Sequence, residues 1–347
     1  MNKINVLVVD DSSLMRLIIS DIIKSDNQLK VIGSAKDGKE AVDRVKSLKP
    51  DIVLLDMTME DYDGLYAVKR IMKECPVPII ILSALGNTNM APILEALELG
   101  AVDYIIKPEG SVTSKVREVH QKIISKVKAA ATSNIEHTKH LNLPSYTFDH
   151  TFDEDPRHDI LVIGASTGGP AALHRVIGRL PGNLIIPVLI AQHIPENFVD
   201  SFVKRLNQIT PLEVVVGKED MRIEAGKIYV APGDKNMIIK KTKTRTPKIA
   251  LITTKFSEYN FPSVNALMIS VAEVYKERTV ATLLTGMGKD GAVALNRLRK
   301  SGAFTIAQDK ESSVVFGMPG EAIRLGAATE ILPLSSIAKK LIEQTKE

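Results

Sequence analysis

Apolar and polar positions follow two alternating rhythms along the first third of this chain. Short aliphatic runs, Asn5 to Val9, Val31 to Ser34, Ile52 to Leu55, Pro78 to Leu82 and Tyr104 to Ile106, read as buried strands. Between them apolar residues recur at spacings of three and four, as they do on one face of a helix. This alternation predicts a five-strand α/β unit. Its last helix carries Val112, Val116, Val119, Ile123 and Val127 on one stripe and gives out at Ala129-Ala130-Ala131-Thr132. From about Ser133 to Arg157 the periodicity fails. Polar residues dominate there, Pro144 and Pro156 interrupt, and Asp153-Glu154-Asp155 forms an acidic cluster, the composition of a linker. Strand-like runs resume at Ile160 to Ile163, Ile185 to Ala191, Val214 to Val216, Ile228 to Ala231, Ile249 to Ile252, Val280 to Leu284 and Phe304 to Ala307, with helical patterns separating several of them. They predict a second, larger α/β domain that ends as strand edge and helix over Ile331 to Gln344, and no repeat of fixed period appears.

A length of 347 residues suits two ordinary cores, and the expected division is 1–127, a linker 128–157, and 158–347. Hydrophobic residues make up 44% and charged residues 25%, which is a globular composition rather than a disordered or membrane one. The longest apolar runs, such as Asn183 to Ala191 with Pro187 inside it, are too short to span a bilayer, so no membrane insertion is expected. A strand begins within a few residues of the N-terminus and leaves no room for a signal peptide, so the expected compartment is the cytoplasm. The single cysteine, Cys75, cannot form an internal disulfide and fits a reducing compartment. A net charge of +4 is too small to argue for nucleic acid. Nor does a helix-turn-helix with a concentrated basic face follow the linker, and Lys240 to Lys248 reads as a basic hairpin turn. His137, His140 and His150 fall in the linker and His158 at its edge; without cysteines or regular ligand spacing the stretch reads as a solvated linker rather than a metal site.

Candidate chemistry in the first unit gathers at strand ends. Asp10 and Asp11 follow the first strand, Asp56 ends the third, Ser83 the fourth and Lys107 the fifth. In a doubly wound sheet these positions meet in the crevice at the carboxyl edge. Three carboxylates there suit an octahedral Mg²⁺ that also takes phosphate oxygens, and a lysine beside them suits a carboxylate or phosphoryl group. This constellation, with Asp63-Gly64 and Lys107-Pro108, closely resembles a response-regulator receiver domain of flavodoxin-like fold. The resemblance implies that Asp56 accepts a phosphoryl group and that Asp10, Asp11, Asp56 and the Thr58 carbonyl serve Mg²⁺. It further implies that Ser83 and Lys107 hold phosphoryl oxygens and that Tyr104 is an aromatic switch. Glu60 stands where such families usually carry proline, which bears on the local loop shape.

In the second unit Asp159-Ile-Leu-Val-Ile-Gly-Ala-Ser166-Thr-Gly-Gly-Pro170 reads as a buried strand breaking into a helix with one serine at the break. Gly164, Ser166 and Gly168 fit the G-x-S-x-G elbow, in which a strained turn presents a nucleophile. The same segment also fits a phosphate-cradling turn with Ser166 as helix N-cap. A nucleophilic serine needs a base, and His174, eight residues on along the same helix, would lie about 12 Å away. His193 instead ends the next strand, beside Ser166. Asp290, in a glycine-rich strand-to-helix turn, is the expected orienting acid, with Asp309 as runner-up. Gly286 and Gly288 let Met287 present its N–H inward beside that of Thr167, as two oxyanion donors. A dinucleotide site would want an acid about twenty residues past the glycines, where Gln192 and His193 stand. An α/β-hydrolase would order its triad Ser, Asp, His, whereas here the order is Ser, His, Asp.

The segments Ile163 to Pro170, Gln192 to Pro195, Leu284 to Gly291, Ala307 to Asp309 and Val315 to Pro319 together resemble the catalytic domain of chemotaxis protein-glutamate methylesterases, the CheB family, on a larger Rossmann-like parallel sheet. Pro262-Ser-Val264 and Ala231-Pro-Gly233 also look like family segments, but Asn236 replaces an expected histidine, a change expected at a substrate-side contact. The resemblance implies hydrolysis of glutamate methyl esters on methyl-accepting chemotaxis receptors, with release of methanol, and deamidation of receptor glutamines. It implies a histidine kinase as phosphodonor, Mg²⁺ at the receiver, no cofactor for the esterase, and a cytoplasmic monomer recruited to membrane receptor clusters. The domain order further suggests that the unphosphorylated receiver covers the Ser166 cleft.

Overall fold

The computed structural model describes residues 3–84, 90–107, 114–133, 157–242, 246–256 and 261–345. Two units divide the chain, Met1–Leu141 and Asn142–Glu347. Most of the expected linker, with His137, His140, His150 and the acidic cluster, lies outside the described residues, as does Pro108.

The first unit runs β1 (Ile4–Val9), α1 (Ser13–Lys24), β2 (Leu29–Ala35), α2 (Gly38–Leu48), β3 (Ile52–Asp56), α3 (Gly64–Glu74), β4 (Ile79–Ser83), α4 (Ala91–Glu98), β5 (Asp103–Ile106) and α5 (Ser114–Ala131). Its strands form one parallel sheet in the order β2-β1-β3-β4-β5. That is the doubly wound order expected of a flavodoxin-like receiver. β3 and β4 are buried along their whole length, which explains their unbroken apolar sequences: both faces are covered by helices. Ile123 and Val127 of the α5 stripe are fully buried. Val112 and the side chains of Val116 and Val119 lie outside the described residues.

The second unit runs β6 (Ile160–Ala165), α6 (Gly169–Ile177), β7 (Val188–Gln192), α7 (Glu196–Asn207), β8 (Glu213–Val216), β9 (Lys227–Val230), β10 (Asn236–Lys240), β11 (Lys248–Ile252), α8 (Val264–Val274), β12 (Thr279–Leu283), α9 (Ala292–Lys300), β13 (Phe304–Gln308), α10 (Met318–Arg324), β14 (Glu330–Leu332) and α11 (Leu334–Gln344). Seven strands form a parallel sheet in the order β14-β13-β12-β6-β7-β9-β8, and β10 pairs with β11 as an antiparallel ribbon. Chain order reverses on either side of β6, so the crevice at its carboxyl end is the natural site position. Two sequence expectations change here. The strand expected from Ile185 begins only at Val188, after Pro187, and Asn236–Lys240 is a strand the sequence reading did not name. Among the described residues no helix is long and apolar enough to cross a membrane.

Candidate active site and receiver pocket

Ser166 leaves the end of β6, and its backbone is held on both sides. Its N–H donates to the Thr285 carbonyl (3.0 Å), and its carbonyl accepts from Gly169 N–H (2.7 Å) and from the buried Gln192 amide (2.9 Å). The expected strained serine elbow is not what forms. Among the described non-glycine residues only Lys49, Asp220 and Lys276 have positive φ, and the left-handed position of this turn is Gly168, at φ 75°. Gly168 rather than Ser166 is also the N-cap of α6, so the hydroxyl is not used as a cap. Gly164 has a packing reason instead: a side chain there would meet Val264 at the start of α8 and Leu283 of β12.

His193 follows β7, the strand paired with β6, and its N–H donates to the Ala165 carbonyl at 3.1 Å. This rung continues the parallel ladder and sets the imidazole beside Ser166. Its Nδ1 lies 3.0 Å from Ser166 Oγ, and its Nε2 lies 2.9 Å from Asp290 Oδ2. An ionised carboxylate can only accept, so the proton of the neutral ring sits on Nε2 and Nδ1 is left as the acceptor for the serine. His174 lies in the last turn of α6, as its spacing required.

Asp290 is fully buried and meets more donors than His193 alone. Oδ2 also accepts from Val264 N–H (2.7 Å), while Oδ1 accepts from Asn265 N–H (3.0 Å), Gly291 N–H (3.0 Å) and Ser263 Oγ–H (3.2 Å). Val264 and Asn265 open α8, so the carboxylate sits at the positive end of that helix. Burial raises its pKa, but the His193 hydrogen bond and charge, with the Asn265 and Val264 amides, outweigh it and leave the group below the ordinary aspartate value. Asp309 is elsewhere engaged, accepting from Ser312 N–H and Oγ–H at 2.9 and 2.6 Å.

The turn between β12 and α9 lies against Ser166. A Cβ on Gly286 would stand 2.8 Å from Ser166 Cβ, so only glycine permits this approach next to Met287. Thr285 knits the two turns, donating from Oγ1 to the Thr167 carbonyl at 2.9 Å, and its own N–H donates to Gln308 Oε1 at 2.7 Å. Sequence reasoning missed Thr285, Gln308, Ser263 and the second role of Gln192. Their signal is faint: Gln192 and Gln308 end apolar strands, Thr285 lies just past one, and Ser263 is a lone hydroxyl ahead of a helix. Asn236 is corrected outright, for it is fully buried behind Asp290 rather than on a substrate side.

In the first unit Asp10 and Asp56 are buried and Asp11 is exposed, and carboxylate oxygens of the three lie within 4.8 Å of one another, a donor set that fits a hard divalent cation. Lys107 Nζ bridges Asp10 Oδ2 (2.7 Å) and Asp56 Oδ2 (2.8 Å). Burial pushes the Asp56 carboxyl up; Lys107 opposes this and the neighbouring Asp10 adds to it, leaving a raised pKa. For Lys107 burial acts downward, but its hydrogen bonds to Asp10 and Asp56 prevail and the ammonium is held above its usual value. Ser83 is buried at the end of β4, Tyr104 is buried in β5, and Thr58 and Glu60 are exposed in the loop after β3. Lys126 of α5 straps Tyr104, donating to its carbonyl at 2.9 Å and lying 5.2 Å from its ring centroid. Gly64 of the Asp63-Gly64 pair is required by close approach, since a Cβ there would stand 2.5 Å from the Asp56 carbonyl oxygen.

A receiver-type acidic pocket on one unit, and a Ser-His-Asp contact chain at the switch point of a parallel sheet on the other, define a response regulator with a hydrolase-type output unit. Residues 161–341 match the family model described as CheB methylesterase, and residues 6–117 match that of the response regulator receiver domain. The chain belongs to the CheB methylesterase family. It is 40% identical over 99% of its length and 99% of the relative's to a protein of Carboxydothermus hydrogenoformans named protein-glutamate methylesterase/protein-glutamine glutaminase 2. It is 39% identical to the Pyrococcus abyssi protein-glutamate methylesterase/protein-glutamine glutaminase, over 98% of this chain and 93% of that one. The crystal structure of the Thermotoga maritima CheB methylesterase catalytic domain superposes with a TM-score of 0.52 at 38% identity, covering 54% of this chain and 98% of that domain.

Proposed function

We propose that this protein is a phosphorylation-regulated serine hydrolase that cleaves glutamate methyl esters on chemotaxis receptors, releasing methanol, and deamidates receptor glutamines. In this reading 1–127 is the receiver, 128–157 the linker and 158–347 the methylesterase domain. The observation that carries it is the unbroken contact from Ser166 Oγ through the His193 ring to the Asp290 carboxylate, at 3.0 and 2.9 Å. Ser166 Oγ attacks the ester carbonyl carbon while His193 Nδ1 takes its proton, and Asp290 stabilises the imidazolium through Nε2–H. Backbone N–H groups of Thr167 and Met287 hold the oxyanion. The tetrahedral adduct collapses by breaking the bond to the methoxy oxygen, which leaves as methanol with the proton from Nδ1. Water then gives a proton to Nδ1 and attacks the acyl-enzyme, the proton returns to Ser166 as the glutamic acid side chain departs, and that acid ionises by giving its remaining proton to solvent. A glutamine amide follows the same steps with ammonia as leaving group. These steps draw only on side chains, backbone amides and water.

Asp56 is the phosphoryl acceptor. Asp10, Asp11 and Asp56, with the Thr58 carbonyl, would hold Mg²⁺, which when bound offsets the negative charge of the phosphoryl oxygens beside these carboxylates. Lys107 and Ser83 bind phosphoryl oxygens, and Tyr104 responds as the aromatic switch. The partners are a chemotaxis histidine kinase, as phosphodonor, and methyl-accepting receptors, to whose membrane clusters a cytoplasmic monomer is recruited. Methanol release from methylated receptor membranes tests the reading. Wild type releases methanol and Ser166→Ala does not; equal release by both rejects Ser166 as nucleophile.

A further inference from the structure

The proposed triad does not end at Asp290. Behind it Ser263, 1% exposed, donates from Oγ to Asp290 Oδ1, while the same Oγ accepts from Ala266 N–H at 3.2 Å as the N-cap of α8. The Ser263 N–H in turn donates to Asn236 Oδ1 at 2.6 Å. Asn236 Nδ2 donates to the Thr254 carbonyl at 2.7 Å, so one fully buried amide ties down two points of the chain, just after β11 and just before α8. A carboxamide suits this post because it offers a donor and an acceptor about 2.3 Å apart and carries no charge. The three residues Ser263, Val264 and Asn265 supply three of the donors on Asp290 besides His193. Whatever fixes Ser263 therefore fixes the carboxylate that orients the base.

We infer that Asn236 is a positioning residue for ester hydrolysis, acting through Ser263 and Asp290 on the orientation of His193. The inference rests on the proposed Ser166, His193 and Asp290 roles. Removing the amide lets the start of α8 move relative to Asp290, and displacements well under an ångström in a base cost rate rather than substrate binding.

The test compares Asn236→Ala and Asn236→His with wild type and Ser166→Ala in the full-length protein, using methanol release from methylated receptor membranes. For Asn236→Ala the expected result is a fall in kcat on the order of 10- to 100-fold with KM nearly unchanged, together with loss of the downfield proton resonance of the His193 Nε2–H. Asn236→His supplies a rescue a purely structural residue would not give. A neutral imidazole offers one donor and one acceptor, whereas the imidazolium has two donors and must oppose the Ser263 N–H. This variant keeps activity above about pH 7 and loses it more steeply than wild type on acidification, the limiting slope of log(kcat/KM) rising from about one to about two. An unchanged kcat and resonance in a folded Asn236→Ala protein overturns the inference. So does an Asn236→His profile parallel to that of wild type. Undiminished methanol release by Ser166→Ala overturns instead the triad reading on which it stands. If Asn236→Ala does not fold, the pH profile of Asn236→His decides alone.

Discussion

Asparagine in place of Asp290 is nearly isosteric and removes one charge. The arrangement of donors dictates how its amide must sit. The Oδ1 position receives three hydrogens, from Ser263 Oγ, Asn265 N and Gly291 N, so the amide oxygen occupies that side. Its NH₂ then faces Val264 N–H and His193 Nε2, where the carboxylate accepted at 2.7 and 2.9 Å. Donor meets donor at both contacts. The imidazole resolves its conflict by moving its proton from Nε2 to Nδ1, which leaves no lone pair facing Ser166 Oγ. In the proposed attack the imidazolium also loses its counter-charge at 2.9 Å, worth about 6 kcal/mol at an effective dielectric constant near 20. At 1.36 kcal/mol per decade this corresponds to roughly four orders of magnitude, the size of the loss when the triad aspartate of chymotrypsin-like proteases is made asparagine. Asp290→Asn should therefore lower kcat for methanol release by about 10⁴, while phosphoryl transfer to Asp56, on the other unit, stays intact. A folded variant that retains more than a tenth of wild-type kcat would show that His193 needs neither the charge nor the tautomer control.

Three further outcomes follow from the same geometry. Phosphodonor with Mg²⁺ should raise the esterase rate of wild type but leave Asp56→Asn unchanged; a variant that still responds would place the acceptor elsewhere. Since the Asp56 pKa is raised in the fold, its ionised form costs stability as pH rises from the ordinary aspartate value through the raised one, and below both values that cost is absent. Asp56→Asn should thus melt higher than wild type at pH 7 with the gain shrinking toward about pH 4, and a gain of equal size at both pH values would contradict this. Gly164→Ala drives a methyl into Val264 and to 2.9 Å from Leu283 Cδ1, so the second unit should lose about 1–3 kcal/mol and roughly 2–10 °C in melting temperature. A thermal scan with no shift would mean α8 yields freely.

The strands were legible because parallel strands covered on both faces must be continuously apolar, as Ile79 to Leu82 and Val188 to Ala191 are. The ribbon β10 was not, because its buried first residue is the polar Asn236 and its partner strand was readable only by its own aliphatic run. Ile185 and Ile186 look like strand but precede Pro187, whose carbonyl, not its missing N–H, joins the ladder by accepting from Leu161. Ser166 and His193 could be paired from sequence because each stands directly past a strand end. Asp290 lies seven residues beyond β12, yet its glycine-rich turn marked it. Thr285, Gln308 and Ser263 carry no role legible in sequence, and Asn236 stands out there only as a departure with the wrong placement, since each meets a partner that tertiary folding alone brings to it. Ala307-Gln308-Asp309 illustrates the difficulty: the sequence drew attention to the charged residue, while the neutral neighbour reaches the Thr285 amide.

The strand order also accounts for which ring nitrogen faces the serine. β6, bearing Ser166, lies between β7, which delivers His193, and β12, whose following turn delivers Asp290. Adjacent strands stand about 4.8 Å apart, so the histidine and aspartate supports are nearly 10 Å from each other with the serine between them. Within an imidazole Nδ1 lies nearer its own backbone and Nε2 farther out. The near nitrogen meets the serine on the neighbouring strand, and only the far one can span to the carboxylate beyond it, as the 3.0 and 2.9 Å contacts record. In chymotrypsin-like proteases the assignment is reversed, Nε2 facing the serine and Nδ1–H the aspartate. The inversion here is a consequence of placing Ser166 on the middle strand. It requires the Nε2–H tautomer, so ¹⁵N resonances of the His193 ring should show a protonated Nε2 and an unprotonated Nδ1 in the resting protein. A protonated Nδ1 would mean that the base faces away from Ser166 and that strand order does not govern the ring.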